Sequence, residues 1–258
     1  MLSDTHCHLN LSQFDNDLRD VIARAEDEGI RRILVPGIDI ESSRRAVELA
    51  DQFEIVYAAI GVHPESAANW NDQAYKVLES LCTNSKVVAI GEIGLDDYWK
   101  DVALDKQYAA FRDQLDLASR LDLPVSIHSR QAEALVLEEI KSRMSDKPVK
   151  GVLHAFGGRR ELAEQGVSMG MMIGFGGPLT YRSNEEGRLI VRSIPVENTV
   201  LETDSPYLSP VPYRGKRNEP ANIALIVEKL AEICDLQVKS LSEVLWQNAN
   251  RLFKWSSV

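Results

Sequence analysis

Short apolar runs recur along the whole chain and alternate with longer stretches in which apolar residues return every three or four positions. Runs of a few residues rich in Val, Ile and Leu are typical of buried strands, whereas the longer spacing is typical of helices packed on one face. We predict strands at Leu2–Thr5, Arg32–Pro36, Ile55–Ile60, Val87–Gly91, Val125–His128, Gly151–His154, Ser168–Ile173 and Thr199–Glu202. We predict helices at Leu18–Glu28, Ser42–Gln52, Asp72–Leu81, Leu104–Arg120, Ala132–Met144, Arg160–Glu164, Glu185–Ser193, Ala221–Ile233 and Ser240–Phe253.

This alternation of strands and helices indicates parallel βαβ units. Because it continues without a linker over residues 1–258, it predicts a single-domain α/β fold, a (β/α)8 TIM barrel, which commonly uses about 250 residues. A doubly wound open sheet is the alternative. That fold often carries a glycine-rich phosphate turn after its first strand, and this chain has His6, Cys7 and His8 there instead.

The overall charge limits the kinds of partner. The formal net charge is −10 and the pI is about 5.1, so the chain lacks the basic surface of a protein that coats long nucleic acids. A local contact with one or two phosphates remains compatible with this charge. No apolar run approaches the roughly 20 residues of a membrane span, no leader is visible and the cysteines are scattered, so we expect a cytoplasmic protein with no obligatory protein partner.

The rare polar residues gather at one place in the predicted barrel. All five histidines lie at the ends of predicted strands or just after them, at His6, His8, His63, His128 and His154. Two acids do the same, Glu92 after the fourth strand and Asp204 after the eighth. The carboxyl ends of barrel strands form the rim on which barrel active sites are built, so we expect these side chains to converge.

The stretch "SDTHCHLN" predicts half of a metal site. Side chains two residues apart on a strand point the same way, so His6 and His8 are placed to bind one divalent ion. Cys7 points away from them and is interpreted as a small buried hydrophobic residue. Asp4 shares the parity of the two histidines and is expected to lie beneath them as a hydrogen-bond acceptor.

Taken singly, each of these residues also has a structural interpretation, such as a hydrogen-bonded core histidine or a turn cap at Asp204. Taken together, they favour a metal, because converging histidines and carboxylates are costly to bury without a cation. The candidates exceed the needs of one tetrahedral ion, so we predict two ions. The first-strand histidines hold one, His128 and His154 hold the other, and Glu92 bridges them. Asp204 completes the first site and takes a proton from the attacking water.

Several motifs together resemble one known family. "SDTHCHLN", "GVHPE", "AIGEIGLDDY", "LPVSIHSR", "GVLHAF" and "LETDSPYLSPVPYRGKRNEP" occur in order between residues 3 and 220 and closely resemble the TatD family of metal-dependent deoxyribonucleases, part of the amidohydrolase barrel superfamily. The resemblance implies hydrolysis of DNA phosphodiesters, often from a 3′ end, with divalent cations. It implies the same metal ligands: His6, His8, Glu92, His128, His154 and Asp204.

Further rim residues are candidate substrate contacts: His63, Arg130, Tyr207, Arg214 and Arg217. The last two lie in a Pro- and Gly-rich loop after the eighth strand, with Asn218, and arginines there suit bidentate contacts to phosphate. Two structural alternatives stay open, a role of His63 in fixing the turn at Pro64 and an ion pair of Arg130 at a helix start. For Trp70 and Trp99, packing is favoured over stacking on a base.

We therefore predict a two-metal phosphodiesterase acting on DNA ends, with Glu92 and Asp204 as catalytic residues. A small-molecule amidohydrolase or lactonase on the same barrel is the alternative, but many such enzymes bridge their metals with a carboxylated lysine on strand four, where this chain has Glu92 and no lysine. Hydrolysis of another nucleic-acid ester, such as an aminoacyl-tRNA, stays open. A non-catalytic metal-binding protein is disfavoured by the complete ligand set. The histidine-rich set suits Zn²⁺ or Mn²⁺ better than Mg²⁺.

Overall fold

The fold is an eight-stranded parallel barrel surrounded by helices. A computed structural model describes residues 1–143 and 148–255. The strands, each hydrogen-bonded to the next in chain order, are β1 (Leu2–Asp4), β2 (Ile30–Pro36), β3 (Val56–Ile60), β4 (Val87–Asp96), β5 (Val125–Arg130), β6 (Gly151–Leu153), β7 (Met172–Phe175) and β8 (Thr199–Leu201). Beyond the ends of β1 and β8, backbone hydrogen bonds join the two segments. The Thr5 amide donates to Leu201 O at 3.0 Å, and the Asp204 amide donates to His6 O at 2.8 Å.

These bonds bring β8 beside β1, so the sheet curls round on itself and the predicted (β/α)8 barrel is confirmed. The doubly wound alternative is wrong. The α-helices in the described ranges are α1 (Leu18–Asp27), α2 (Ile40–Gln52), α3 (Asp72–Leu81), α4 (Leu104–Leu121), α5 (Glu133–Arg143), α6 (Arg160–Ser168), α7 (Glu185–Ser193), α8 (Ile223–Cys234) and α9 (Val238–Phe253). None of them is long and apolar enough to cross a membrane. The last residue of the predicted helix Ala132–Met144 lies outside the described residues.

The start of the seventh strand was predicted wrongly. The expected strand Ser168–Ile173 begins only at Met172, because α6 continues to Ser168. The amide of Met171 donates back to Gly166 O at 3.0 Å, and Gly170 adopts a left-handed conformation with φ of 87°. A glycine in this conformation is a common helix ending, and here it separates the helix from the strand.

The fourth strand is longer than predicted, and this changes the place of Glu92. The strand runs to Asp96, so Glu92 lies within it and not after it. The pairing of β4 with β5 shifts register between Ile90 and Ile93, and Gly94 then passes close to His128. A Cβ on Gly94 would lie 2.0 Å from the His128 carbonyl oxygen, so glycine is required where these two strands approach.

An apolar layer fills the barrel beneath its mouth. Val152 and Val200 precede His154 and Glu202 by two residues, so alternation places apolar and polar side chains in successive layers of one face. The two valines belong to a buried cluster that includes Leu252 of α9. A larger cluster packs the outer faces of the strands against the helices and includes Cys7, which is fully buried as predicted.

Candidate metal centre

A cavity of about 830 Å³ opens at the carboxyl ends of the strands. Most of the histidines line it, together with both predicted catalytic acids: His8, His63, His128, His154, Glu92 and Asp204. His6 lies against this group and is fully buried. The predicted convergence of the histidines and acids on one rim is therefore what the structure shows.

Glu92 is the centre of the cluster, and its two carboxylate oxygens face different histidines. Oε2 lies 3.3 Å from His6 Nε2 and 3.5 Å from His8 Nε2. Oε1 lies 3.0 Å from His128 Nδ1 and 2.9 Å from His154 Nε2. The structure thus places Glu92 between the two histidine pairs, which is the position that a bridging ligand would take.

The His6 and His8 pair has the spacing of ligands to a single ion. Their Nε2 atoms are 3.2 Å apart, close to the separation of about 3.3 Å that follows for two nitrogens bound at 2.0–2.1 Å to one tetrahedral ion. Asp204 Oδ1 lies 3.5 Å from His8 Nε2 and 3.8 Å from His6 Nε2. The atoms of His6, His8 and Glu92 that could ligate a metal all lie within 4.8 Å of one another, so this group fits a divalent cation.

His63 is closer to the second group than the sequence indicated. Its Nε2 lies 3.5 Å from Glu92 Oε1, and donor atoms of His63, Glu92 and His128 are also within 4.8 Å of one another. The Glu65 amide donates to His63 Nδ1 at 3.2 Å, at the start of the 3-10 turn Pro64–Asn69. A neutral imidazole that accepts at Nδ1 carries its proton on Nε2. His63 therefore fixes the Pro64 turn and also points an N–H group at the cluster.

The charges of the cluster depend on one another. Burial alone would raise the pKa of Glu92, but the surrounding histidines, His154 first, lower it well below its usual range. Burial disfavours a charged His154, yet Glu92 and Glu202 raise the pKa of this histidine well above its usual value. For His63, burial dominates and lowers the pKa to about 3, so this imidazole stays neutral. The centre thus holds ionised carboxylates compensated by protons that a cation would displace.

Backbone strain is concentrated around the cavity. Non-glycine residues with a left-handed backbone line it at Gln131, Ala155, Asp204 and Leu208. The other such residues in the described ranges, Asp122, Asp235 and Lys254, directly follow helices, where this conformation is ordinary. Sparsely populated backbone conformations that are not helix endings cluster at functional sites, and their position here agrees with that pattern.

Two of the predicted substrate contacts border the cavity in addition to His63. Arg130 lies on the rim with its guanidinium 3.9 Å from the centre of the Tyr98 ring and 5.3 Å from that of Trp99. Trp99 lines the cavity with 47% of its surface exposed, and its ring also packs edge-on against Tyr98 with 4.8 Å between the ring centres. Tyr207 also lines the cavity and is 50% exposed.

The positions of Arg214 and Arg217 disagree with the predicted phosphate contacts. Neither residue lines the cavity. Arg217 donates to both carboxylate oxygens of Asp17, at 2.8 and 2.7 Å, and Arg214 lies 4.2 Å from the centre of the Tyr181 ring. These contacts attach the loop after β8 to neighbouring segments.

Two other residues of the prediction also have structural roles. Asn218 is fully buried and donates to Thr203 O at 2.9 Å and to Tyr207 O at 2.8 Å, which holds the loop after β8 together. Trp70 donates to Asp113 Oδ2 at 2.7 Å and packs against the core. The interpretation of Trp70 as a packing residue is therefore right.

The prediction for Asp4 is wrong. Its carboxylate accepts from the Thr203 amide at 2.9 Å, from Thr203 Oγ1 at 2.6 Å and from the main-chain amide of His6 at 3.3 Å. The group that contacts the His6 imidazole is Ser126, with 3.2 Å between its Oγ and Nδ1. Burial raises the pKa of Asp4 to about 8. Asp4 therefore joins the ends of β1 and β8 and does not orient an imidazole.

Three supporting residues were not predicted. Ser126 contacts His6, as described above. Asp96 accepts from His128 Nε2 at 2.9 Å and is itself held by the amides of Tyr98 and Trp99, each at 2.9 Å. Glu202, fully buried, lies with Oε1 3.6 Å from His154 Nδ1. Each of the three is separated from a predicted ligand by an even number of residues, a signal that was available in the sequence.

Comparison with known proteins gives matches along nearly the whole chain. The family model for TatD related DNase matches residues 3–254. An uncharacterized metal-dependent hydrolase of Bacillus subtilis, YabD, is 39% identical over 254 residues, which are 98% of this chain and 99% of that relative. A protein of a Rahnella species named 3′-5′ ssDNA/RNA exonuclease TatD is 37% identical over 256 residues, which are 97% of each chain.

A solved structure matches equally well. The crystal structure of YjjV, a TatD homolog from Escherichia coli K12, superposes with a TM-score of 0.93 at 32% identity, and the match covers 99% of this chain and 98% of that one. The resemblance seen in separate motifs thus extends to the fold and over nearly the whole length of the chain.

Proposed function

The chain belongs to the TatD-related DNase family, and we propose that it is a two-metal phosphodiesterase that removes nucleotides from the 3′ end of single-stranded DNA. The observation that carries the proposal is the position of Glu92, with one oxygen 3.3 Å from His6 and the other 3.0 and 2.9 Å from His128 and His154. A buried carboxylate in this position suits two adjacent cations. The exonuclease name of the Rahnella relative supports the choice of substrate.

The proposed ligands divide between two ions. His6, His8 and Asp204 would hold the first, His128 and His154 would hold the second, and Glu92 would contribute to both. Two divalent cations bound there would supply an activated water and would stabilise the attacking and leaving oxygens of a phosphate ester. The imidazole-rich set favours Zn²⁺ or Mn²⁺ over Mg²⁺.

Two side chains would assist the reaction directly. Asp204 is 9% exposed at the floor of the cavity, and although burial raises its pKa, the hydrogen bond from His8 and the nearby imidazoles lower it overall. An ionised Asp204 is suited to accept the proton of the attacking water. His63, neutral and with a proton on Nε2, is suited to donate a hydrogen bond to a phosphate oxygen.

The charge of the cavity favours the end of a strand over its interior. Seven carboxyl groups line it, from Glu65, Glu92, Asp96, Glu133, Glu186, Glu202 and Asp204. Arg130 is the one arginine or lysine among the lining residues that the structure describes. With two divalent ions bound, the ions would attract the one phosphate group beside them, whereas the remaining carboxylates would repel a run of phosphates. We therefore infer that a single phosphodiester enters, with Arg130 and Trp99 contacting the strand as it leaves.

A small-molecule ester or amide is the second candidate substrate. The observation in its favour is the size of the cavity, about 830 Å³, which is within the range of small-molecule sites. The bridging position of Glu92, in a strand that carries no lysine, favours the phosphodiesterase.

The test uses a single-stranded oligonucleotide labelled at its 5′ end, with Mg²⁺, Mn²⁺ or Zn²⁺ added to metal-free protein. We expect products that shorten one nucleotide at a time from the 3′ end, and we expect a circular strand of the same sequence to resist. Equal cleavage of the circle would contradict the preference for ends. No cleavage of any strand with any metal would contradict the phosphodiesterase.

Two variants test the roles of the acids in the same assay. Glu92→Ala should lose activity, whereas Glu139→Ala should retain it, because Glu139 lies on α5, is not among the residues that line the cavity and pairs with Arg112 and Arg143. Asp204→Asn should lower kcat far more than it raises KM. A change confined to KM would contradict proton transfer by Asp204.

A further inference from the structure

Glu202 has contacts that a merely structural residue would not need. It is fully buried, two residues before Asp204, and the Ala155 amide donates to its Oε1. The same oxygen lies 3.6 Å from His154 Nδ1. Glu202 Oε2 and His154 Nδ1 are both buried and have no hydrogen-bond partner among the residues that the structure describes.

We propose that Glu202 is a positioning residue that holds the proton of His154 on Nδ1 and thereby leaves Nε2 free to bind the second ion. His154 Nε2 faces Glu92 Oε1 at 2.9 Å, so the ligating side of the ring is the side away from Glu202. A neutral imidazole ligates through the nitrogen without the proton, and a carboxylate on the other nitrogen fixes this tautomer and the ring orientation. The inference rests on the proposed metal centre.

The backbone around Glu202 leaves room for this carboxylate and little else. A Cβ on Gly174 of β7 would lie 2.4 Å from Glu202 Oε2 and 2.8 Å from its Cδ. Ala155 has a left-handed φ of 42°, and in this conformation its amide bonds Oε1. The close approach of Gly174 in β7 and the amide of Ala155 after β6 therefore keep the Glu202 carboxylate beside His154.

A ligand role for Glu202 is the rival interpretation. Donor atoms of His6, His154 and Glu202 lie within 4.8 Å of one another, which is compact enough for an additional ion. The two interpretations differ in the number of ions that the protein loses when Glu202 is replaced. A positioning residue alters the affinity of one ion, whereas a ligand to an additional ion removes that ion and leaves the others unchanged.

The experiment titrates metal-free protein with Mn²⁺ or Zn²⁺ in competition with a chelator. Glu202→Ala should lower the affinity for one of the two bound ions by about 10–100-fold and leave the affinity for the other unchanged. Glu202→Gln should have a smaller effect, because its amide oxygen still accepts from Nδ1–H. Gly174→Ala should reproduce the loss by displacing the carboxylate without removing it. Glu139→Ala is the matched control, because Glu139 is a buried glutamate outside the cavity. This variant should leave the affinities for both ions unchanged.

A second measurement does not depend on the number of ions or on activity. In zinc-loaded protein, the ¹⁵N spectrum of the imidazoles should show a protected Nδ1–H signal that disappears in His154→Gln and weakens in Glu202→Ala. Unchanged affinities with an unchanged signal would overturn the proposal, as would an equal loss for both ions or the loss of one whole additional ion. Wild-type protein that binds metal with these features but cleaves no DNA would contradict the phosphodiesterase and leave the role of Glu202 intact.

Discussion

Replacing Glu92 by glutamine tests whether one carboxylate serves both halves of the metal centre. The amide keeps the shape of the side chain and removes its charge. In the structure one oxygen faces His6 and His8 at 3.3 and 3.5 Å, and the other faces His128 and His154 at 3.0 and 2.9 Å. Because the charge lies between the pairs, its loss should weaken the binding of both ions and not of one alone.

The expected size of the effect follows from binding linkage. An ion present at 100 times its Kd stabilises the folded protein by about 2.7 kcal/mol, so two ions contribute about 5.4 kcal/mol. For a chain of this length, 1 kcal/mol corresponds to about 2–4 °C in Tm, so the ions should raise the Tm of the wild type by about 10–20 °C. Glu92→Gln should lose most of this rise, whereas a carboxylate that served one ion would cost half of it.

The assay is calorimetric unfolding in excess chelator and again with Mn²⁺ or Zn²⁺ at concentrations fixed relative to the wild-type Kd. Glu65→Gln is the matched control, because Glu65 lines the same cavity but lies 4.0 Å from His63 Nδ1, outside the contacts of Glu92. A Glu92→Gln protein that keeps half or more of the rise in Tm refutes the bridging role. An equal loss in both variants would show that only the total charge of the cavity matters.

Two further predictions concern single side chains. Arg130→Gln should raise KM for a 3′-ended oligonucleotide about 10-fold with little change in kcat, because it removes one charged contact with the substrate. Arg217→Gln is the control and should leave KM unchanged. Similar changes in the steady-state kinetics of the two variants would contradict the assignment of Arg130 to the substrate. Burial alone would raise the pKa of Glu139, but Arg112 and Arg143, which donate to it at 2.8 and 3.1 Å, lower it below 4.5. Glu139→Gln should therefore lower the free energy of unfolding, measured in urea at pH 7, by about 1–2 kcal/mol. This difference from the wild type should shrink as the pH falls through 4.5 toward the lower folded-state pKa. A difference that does not depend on pH would contradict the ion pairs.

The positions of the candidate ligands were predictable because, in a barrel, the order of the strands is nearly enough to locate the active-site rim. Once the alternation of strands and helices had been recognised, every residue at a strand end was placed on the same rim. The placement of His6, His128 and His154 on this rim required no knowledge of loops or of side-chain packing. Glu92 was predicted as a ligand even though its strand proved longer, because an extension of β4 to Asp96 does not move Glu92 away from the rim.

The contacts of the long loop after β8 could not be predicted in the same way. Arg214 and Arg217 were assigned to the substrate because of their place in the chain, but a loop of this length has no periodicity that fixes the direction of its side chains. Arg217 instead pairs with Asp17, which is distant in sequence. Whether an arginine faces the cavity or a neighbouring helix depends on tertiary contacts that no local pattern records.

Strand parity contained more information than the prediction used, and it also has a clear limit. Ser126 precedes His128 by two residues, Glu202 precedes Asp204 by two, and Asp96 follows Glu92 by four, so all three supporting residues lie an even number of positions from a ligand. The same rule failed at Asp4. Regular pairing in β1 ends at Asp4 after a register shift between Leu2 and Ser3, so the face of Asp4 is not continued to His6. Parity therefore narrows the candidates for supporting residues, whereas hydrogen bonds such as those from Thr203 to Asp4 decide which group each candidate supports.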